Sequence, residues 1–313
     1  MRLLLLLAAL AGAPRPAVHL QLDDQKLVRR EVAFASGGLR VLRTDVVRLP
    51  GVVLAHAPSG AEDVAIVCPA ALPHTDEARG CPVFLVEADG RVRSLGVSAL
   101  SAQLLPGGRF AFWTDTLELN VRAIGGGEIT TLARHVLEPH LSADGRSFGV
   151  ALAPTLDRVT PGASPCPAIV ELATGKLRPL KGACDAQAPF VSPGGLALYA
   201  STRTGLASLY SQEQSAEAVQ RTNVGRTSVD DKFIPVPSSE LLFIDRSTAI
   251  FTARYEKSVL WRLDLATFAA TPVGEGREPQ LLDDGQGHLV PVAVRGAGKD
   301  AQLFRVDVKG GAR

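Results

Sequence analysis

Short apolar runs alternate with polar, turn-forming clusters along most of the chain, and no long stretch keeps the 3.6-residue period of an amphipathic helix. Helices are therefore expected to be few. The pattern is clearest in Ala188 to Gln212, APFVSPGGLALYASTRTGLASLYSQ. Pro193 presets φ and Gly194 tolerates φ > 0, so Ser192 to Gly195 reads as a tight turn. The turn separates a strand at Phe190–Val191 from one at Leu196–Tyr199, and after a second turn over Ser201 to Gly205 a third strand runs from Ala207 to Tyr210.

The rest of the chain carries poorer copies of this unit. Strand centres recur at Leu42, Phe84, Leu119, Ile169, Tyr210, Trp261 and Phe304, spaced by 42, 35, 50, 41, 51 and 43 residues. A period of this length is the mark of propeller blades or solenoid turns. The turns repeat as well: Pro193-Gly194-Gly195 aligns with Pro106-Gly107-Gly108, Ala143-Asp144-Gly145, Pro58-Ser59-Gly60, Pro237-Ser238-Ser239 and Asp283-Asp284-Gly285, each followed by an apolar strand. Three units also share an entry: Glu138-Pro-His-Leu141, Ala188-Pro-Phe-Val191 and Glu278-Pro-Gln-Leu281.

These features predict an all-β protein, a β-propeller of short four-stranded blades occupying 18–313 as a single domain. Six units start at Val52. The runs Val18 to Leu22, Val32 to Ser36 and Leu39 to Thr44 either close the ring by pairing with the last blade or form a reduced seventh one, and dividing the length by the repeat favours seven.

The motif Pro189-Phe-Val-Ser-Pro-Gly-Gly195, then Tyr199-Ala-Ser-Thr-Arg-Thr-Gly205, then Leu209-Tyr210, resembles the repeat of the TolB-like β-propellers, the periplasmic propellers of the Tol-Pal system and their relatives. The likeness extends over Val52 to Val308, with this one unit the sharp match. It implies a binding or protein-interaction module with a protein partner in the cell envelope.

Composition fits such a fold. Thirty Gly and 21 Pro punctuate the 313 residues, and an apolar content of 46% supplies a core and argues against disorder. Met1-Arg2 followed by eleven uncharged residues, Leu3 to Ala13, reads as a signal peptide cleaved near residues 11–17; the run is too short to span a bilayer, so no membrane span is expected after its removal. Without Arg2 the basic and acidic residues balance at 32 each, which gives no reason to expect nucleic acid as a partner. Export to the periplasm or the medium makes disulfides the reading of the four cysteines. A Cys68–Cys81 bridge would clamp the loop from Pro69 to Gly80, which leaves Cys166 with Cys184 and puts both on one rim, with Leu72 to Arg79 and Thr155 to Ser164 as binding loops.

Candidate chemistry is sparse. Gly145-Arg-Ser-Phe-Gly149 matches the G-x-S-x-G of a nucleophile elbow, but that motif needs a strand before it and a helix after it, whereas this copy falls on a blade turn. His56, Glu138 and His140 fall on innermost strands or their entrances, where their chemistry would suit a metal or acid/base site at the central channel. His74, Asp76, Glu77 and Arg79 cluster in a polar loop, and Arg203 interrupts a small-residue segment. No C-x-x-C, H-E-x-x-H, P-loop or G-x-G-x-x-G is present, so no cofactor, metal or catalytic residue is assigned. The competing reading is a propeller hydrolase or lyase with its site in the channel.

Overall fold

The computed structural model describes residues 16–35, 38–69, 80–153, 165–181, 184–201, 203, 208–213, 216–221, 241–254 and 258–308. Residues 1–13, read as a signal peptide, the loops 72–79 and 155–164 and the turn at 237–239 lie outside them.

Each repeat folds into one antiparallel sheet in which strands follow one another in chain order. Blade 1 is β1 (Ala17–Asp23), β2 (Lys26–Ala35) and β3 (Gly38–Val46). Blade 2 is β4 (Val52–Ser59), β5 (Glu62–Cys68), β6 (Cys81–Val86) and β7 (Val92–Ala99). Blade 3 is β8 (Ser101–Leu105), β9 (Arg109–Trp113), β10 (Leu119–Ala123) and β11 (Thr130–Ala133). Blade 4 is β12 (Val136–Leu141), β13 (Ser147–Leu152), β14 (Cys166–Glu171) and β15 (Leu177–Pro179). Blade 5 is β16 (Phe190–Val191), β17 (Leu196–Ser201), β18 (Ser208–Glu213) and β19 (Val219–Gln220). Blade 6 is β20 (Leu241–Phe243), β21 (Thr248–Arg254), β22 (Ser258–Asp264) and β23 (Ala270–Glu275). Blade 7 is β24 (Arg277–Asp283), β25 (Leu289–Arg295) and β26 (Gln302–Arg305).

Seven blades therefore form the ring, and the helical content among the described residues is a 3-10 turn at Gly298–Asp300. The regular four-stranded pattern holds for blades 2 to 6, whereas blades 1 and 7 have three strands each among the described residues. The repeated turns place the positive φ one residue later than the sequence reading, which put it at Gly194: Gly145 and Gly195 sit at φ 67° and 83°, a region that side-chain-bearing residues adopt at a cost, while Gly194 has an ordinary φ.

The core is a series of apolar wedges between blades. Leu105, Ala111 and Val121 of blade 3 pack with Phe148, Val150 and Val170 of blade 4. Leu198 and Leu209 of blade 5 meet Phe251 and Leu263 of blade 6. The second strand of each full blade is sandwiched on both faces, and so β5, β13 and β17 are almost continuously buried instead of alternating.

Closure of the ring takes an unusual form. The strands of blade 1 pair with one another and none forms a ladder with blade 7, so the seam is closed by side chains. β1 runs opposite to β24: Leu22 and Asp23 meet Arg277 and Glu278 at the start of β24, while Ala17 packs near Leu282 and Val292 further along it. Among the described residues blade 1 thus has no strand that runs innermost in the direction common to the other blades.

The disulfides join Cys68 to Cys81 and Cys166 to Cys184. Cys68 ends β5 and Cys81 begins β6; Cys166 begins β14 and Cys184 lies on the connection to blade 5. Second-to-third-strand loops and blade-to-blade connections leave the same face of a propeller, so both bridges sit on one face. Their 13- and 18-residue separations are each worth about 3 kcal/mol on the chain-entropy model.

The G-x-S-x-G match is confirmed as blade structure. Ser147 opens β13, and its amide donates to Ser142 Oγ at 2.9 Å in the preceding turn. Gly149 is required by packing: a Cβ there would collide with the Pro189 carbonyl oxygen of blade 5. Gly149→Ala is accordingly expected to lower the unfolding free energy by about 1–3 kcal/mol through overpacking. Gly194→Ala, at a position with ordinary φ and only Ser192 Oγ within 4 Å at 3.8 Å, should stay within about 0.5 kcal/mol of the parent. Urea unfolding of the two variants measures the difference, and equal midpoints would contradict the packing role of Gly149.

Candidate functional site

A cavity of about 870 Å³ opens where the inner strands begin, lined by residues from blades 1, 2, 3, 4 and 7. It lies on the face that carries both disulfides, because β8 and β24 contribute their first residues to it. Three β-bulges shape its wall. The β4–β5 register slips at Leu54, the β12–β13 register at Glu138-Pro139 and the β24–β25 register at Glu278-Pro279. A bulge re-aims side chains, and these three turn Leu54, Glu138 and Glu278 into the cavity.

His56 and Glu278 meet here across the seam. His56 Nδ1 lies 2.8 Å from Asp63 Oδ2, and its Nε2 faces Glu278 Oε2 at 3.7 Å. Asp63, fully buried, also accepts the Ala57 amide at 2.9 Å through Oδ1. Burial opposes a charge on the imidazole, but hydrogen bonds to Asp63 and Glu278 and their charges outweigh it and raise its pKa to about 10. His56 is therefore an imidazolium at neutral pH. Burial also pushes the Asp63 carboxyl up, against the pull of His56 and of the Ala57 and Val64 amides.

Glu278 is the hub of the seam. It accepts the Leu22 amide of blade 1 at 3.3 Å and the Arg277 guanidinium at 3.0 Å, and Gln280 Nε2 donates to the Leu20 carbonyl at 2.6 Å. Arg277 also reaches Asp23 Oδ1 at 3.4 Å. Beside this network His19 is wholly buried with neither ring nitrogen hydrogen-bonded. Burial, then the charges of Arg30 and His56, lower its pKa to about 3 and keep it neutral.

His140, on the opposite wall, is governed by burial too. Its ring stacks on Phe190 with centroids 4.1 Å apart, and burial lowers its pKa to about 4 against hydrogen bonds to the Ala188 and Pro189 backbone. Its Nδ1 is buried without a hydrogen-bond partner. Glu138 is exposed to the cavity and makes no hydrogen bond or ion pair with any described residue.

Of the residues singled out in the sequence, the fold brings His56, Glu138 and His140 into this one cavity. Arg203 is elsewhere: its guanidinium lies 3.9 Å above the Tyr210 ring, a contact within blade 5. His74, Asp76, Glu77 and Arg79 lie outside the described residues. Asp63, Arg277 and Glu278 escaped sequence reasoning, although the shared Glu-Pro entry of blades 4 and 7 was a signal for Glu278. Among the described residues no group of three or more His, Cys, Asp or Glu side chains is arranged to hold a metal ion.

The fold and the ring of inner strands define a seven-bladed β-propeller. Comparison with solved structures shows the same fold in a putative TolB and in enzymes that contain a propeller. No protein-family model matches the chain, and no curated protein matches it. It is similar to a putative TolB from Agrobacterium tumefaciens, with TM-score 0.52 and 12% identity over 95% of this chain and 100% of that one. It is similar also to the tricorn protease, with TM-score 0.57 and 11% identity over 92% of this chain, which spans about a third (34%) of the protease chain. An oligogalacturonate lyase from Vibrio parahaemolyticus gives TM-score 0.52 and 10% identity over 95% and 85% of the two chains. Likeness at these identities is one of fold.

The charge on His56 ties stability to pH. A group whose pKa rises on folding contributes stability that is complete below its unfolded value, about 6.5, and is lost as pH climbs through its folded value, about 10. His56→Gln is expected to be less stable than the parent by about 3 kcal/mol at pH 7, since Asp63 loses its buried partner. That gap should shrink between pH 7 and 10. Urea unfolding of both proteins across this range provides the check; a gap independent of pH would show that His56 is not charged in the folded state.

Proposed function

We propose that this protein is an exported binding module of the bacterial envelope or exterior, which recognises a protein partner through the face that carries the disulfides and the channel cavity. The observation that carries the reading is the His56–Asp63–Glu278 cluster. An imidazole held protonated to about pH 10 is no general base at neutral pH, and both its nitrogens are spent on carboxylates. His56, the channel histidine that sequence analysis would offer for catalysis, thus serves to join blades 2 and 7. Two disulfides fit an oxidising compartment, in the periplasm or outside the cell. Cys68–Cys81 and Cys166–Cys184 lie on the same face as the cavity, and loops on such a face usually carry recognition.

The second reading, a channel hydrolase or lyase, is favoured by one observation: Glu138 and a neutral His140 share the cavity. Site-directed photo-crosslinking in the native host separates the two. A crosslinker at position 54, in the cavity wall, is expected to trap one reproducible protein partner, whereas one at position 219, on the outer strand of blade 5, should trap none. Absence of a position-54 adduct, together with a processed metabolite in the purified protein, would favour the enzyme.

A further inference from the structure

We propose that the blade 4 wall of the channel cavity is a site for an organic cation, an alkylammonium or guanidinium group, held by the Glu138 carboxylate against the Trp113 indole. The inference rests on the reading of this cavity as the recognition site and names the chemistry it recognises.

The internal repeat supplies the argument. Glu138-Pro139 and Glu278-Pro279 occupy the same place in blades 4 and 7, each as the bulged pair that the ladder to the second strand skips. Both glutamates are in the left-handed region, at φ 47° and 51°, a costly conformation for a side-chain-bearing residue and more so before proline. The third copy, Ala188-Pro189, is not in that region, so the strained backbone accompanies the carboxylate and not the repeat. In blade 7 the device is complete: Glu278 faces the His56 imidazolium at 3.7 Å and accepts from Arg277 at 3.0 Å. In blade 4 the equivalent carboxylate points into the cavity and no described residue supplies its cation.

The surroundings of Glu138 favour a positive ligand. His140, two residues on, is neutral and adds no competing charge. Trp113, on the second strand of blade 3, donates Nε1–H to the Val136 carbonyl at 2.8 Å, which fixes the indole in the cleft between blades 3 and 4. Val136 is only two residues before Glu138, roughly 7 Å along an extended strand. A carboxylate next to an aromatic ring is the combination that holds alkylammonium and guanidinium groups. Leu54, 52% exposed on the facing wall, gives an apolar surface for the stem of such a ligand.

The test is calorimetric titration of the intact protein with Nα-acetyl-arginine amide and with Nα-acetyl-citrulline amide, its uncharged isostere, called arginine amide and citrulline amide below. Arginine amide is expected to bind saturably, and citrulline amide at least about tenfold more weakly. Glu138→Gln should weaken arginine amide about tenfold with no fall in melting temperature, and Glu138→Asp should retain part of the affinity. Should Glu138→Gln fail to fold, the parent still decides the matter: raising salt from about 0.05 to 0.5 M must weaken arginine amide and leave citrulline amide unchanged. A decapeptide with a central arginine that binds tighter than the amide would identify a polypeptide as the source of the cation, and equal affinities a small molecule. Equal binding of the two amides, binding of neither, or an unaffected Glu138→Gln would overturn the proposal. Arginine amide binding without a crosslinked partner would leave the cation site standing and remove the protein-partner reading.

Discussion

Ring closure is the constraint on which the rest of this propeller depends. A ring of blades must join its two ends, and here no strand is shared between the first and last blades. Closure falls to Glu278, Arg277 and Gln280, which reach Leu20, Leu22 and Asp23 of blade 1, and to His56 of blade 2, which faces Glu278 over the end of β1. Below them Val32, Leu282, Val290 and Val292 bury an apolar wedge. Taking charged groups out of water is costly unless each finds a partner, and the cluster alternates in sign so that each does.

The seam also explains why the cavity has polar walls on one side and aromatic ones on the other. Blades 1, 2 and 7 spend their inner polar side chains on each other, which leaves His56 charged and His19 neutral within one network. Blades 3, 4 and 5 meet through apolar clefts, so the side chains there are fixed by stacking and by single hydrogen bonds, as with His140 of blade 4 on Phe190 of blade 5 and Trp113 of blade 3 on Val136 of blade 4. Two histidines on inner strands thus acquire opposite protonation states from their surroundings alone.

Rigidity on the cavity face has two sources of different range. The bulges of β4, β12 and β24 set individual side chains, while the two disulfides tie the loop bases to the blades. Both act before any ligand arrives, so less freedom is lost on binding.

The sequence by itself determined the blade, the period and the turns, because these are local. Turn residues such as Gly145 and Gly195 allow a positive φ at no steric cost, and an apolar run of β-forming residues such as Leu196 to Tyr199 has few alternatives. The Glu-Pro entries were legible as a repeat, and His56, Glu138 and His140 were legible as channel residues. Their roles were not. Whether a histidine is an imidazolium or a neutral ring depends on which carboxylates lie within about 4 Å, and Glu278 comes to His56 from 222 residues away. Asp63 looked like an ordinary strand residue, and only burial under His56 made it a partner. The direction of β1, and hence the side-chain seam, was likewise decided by tertiary packing, since three antiparallel strands can enter a ring with either edge innermost and only contact with β24 and β4 fixes which.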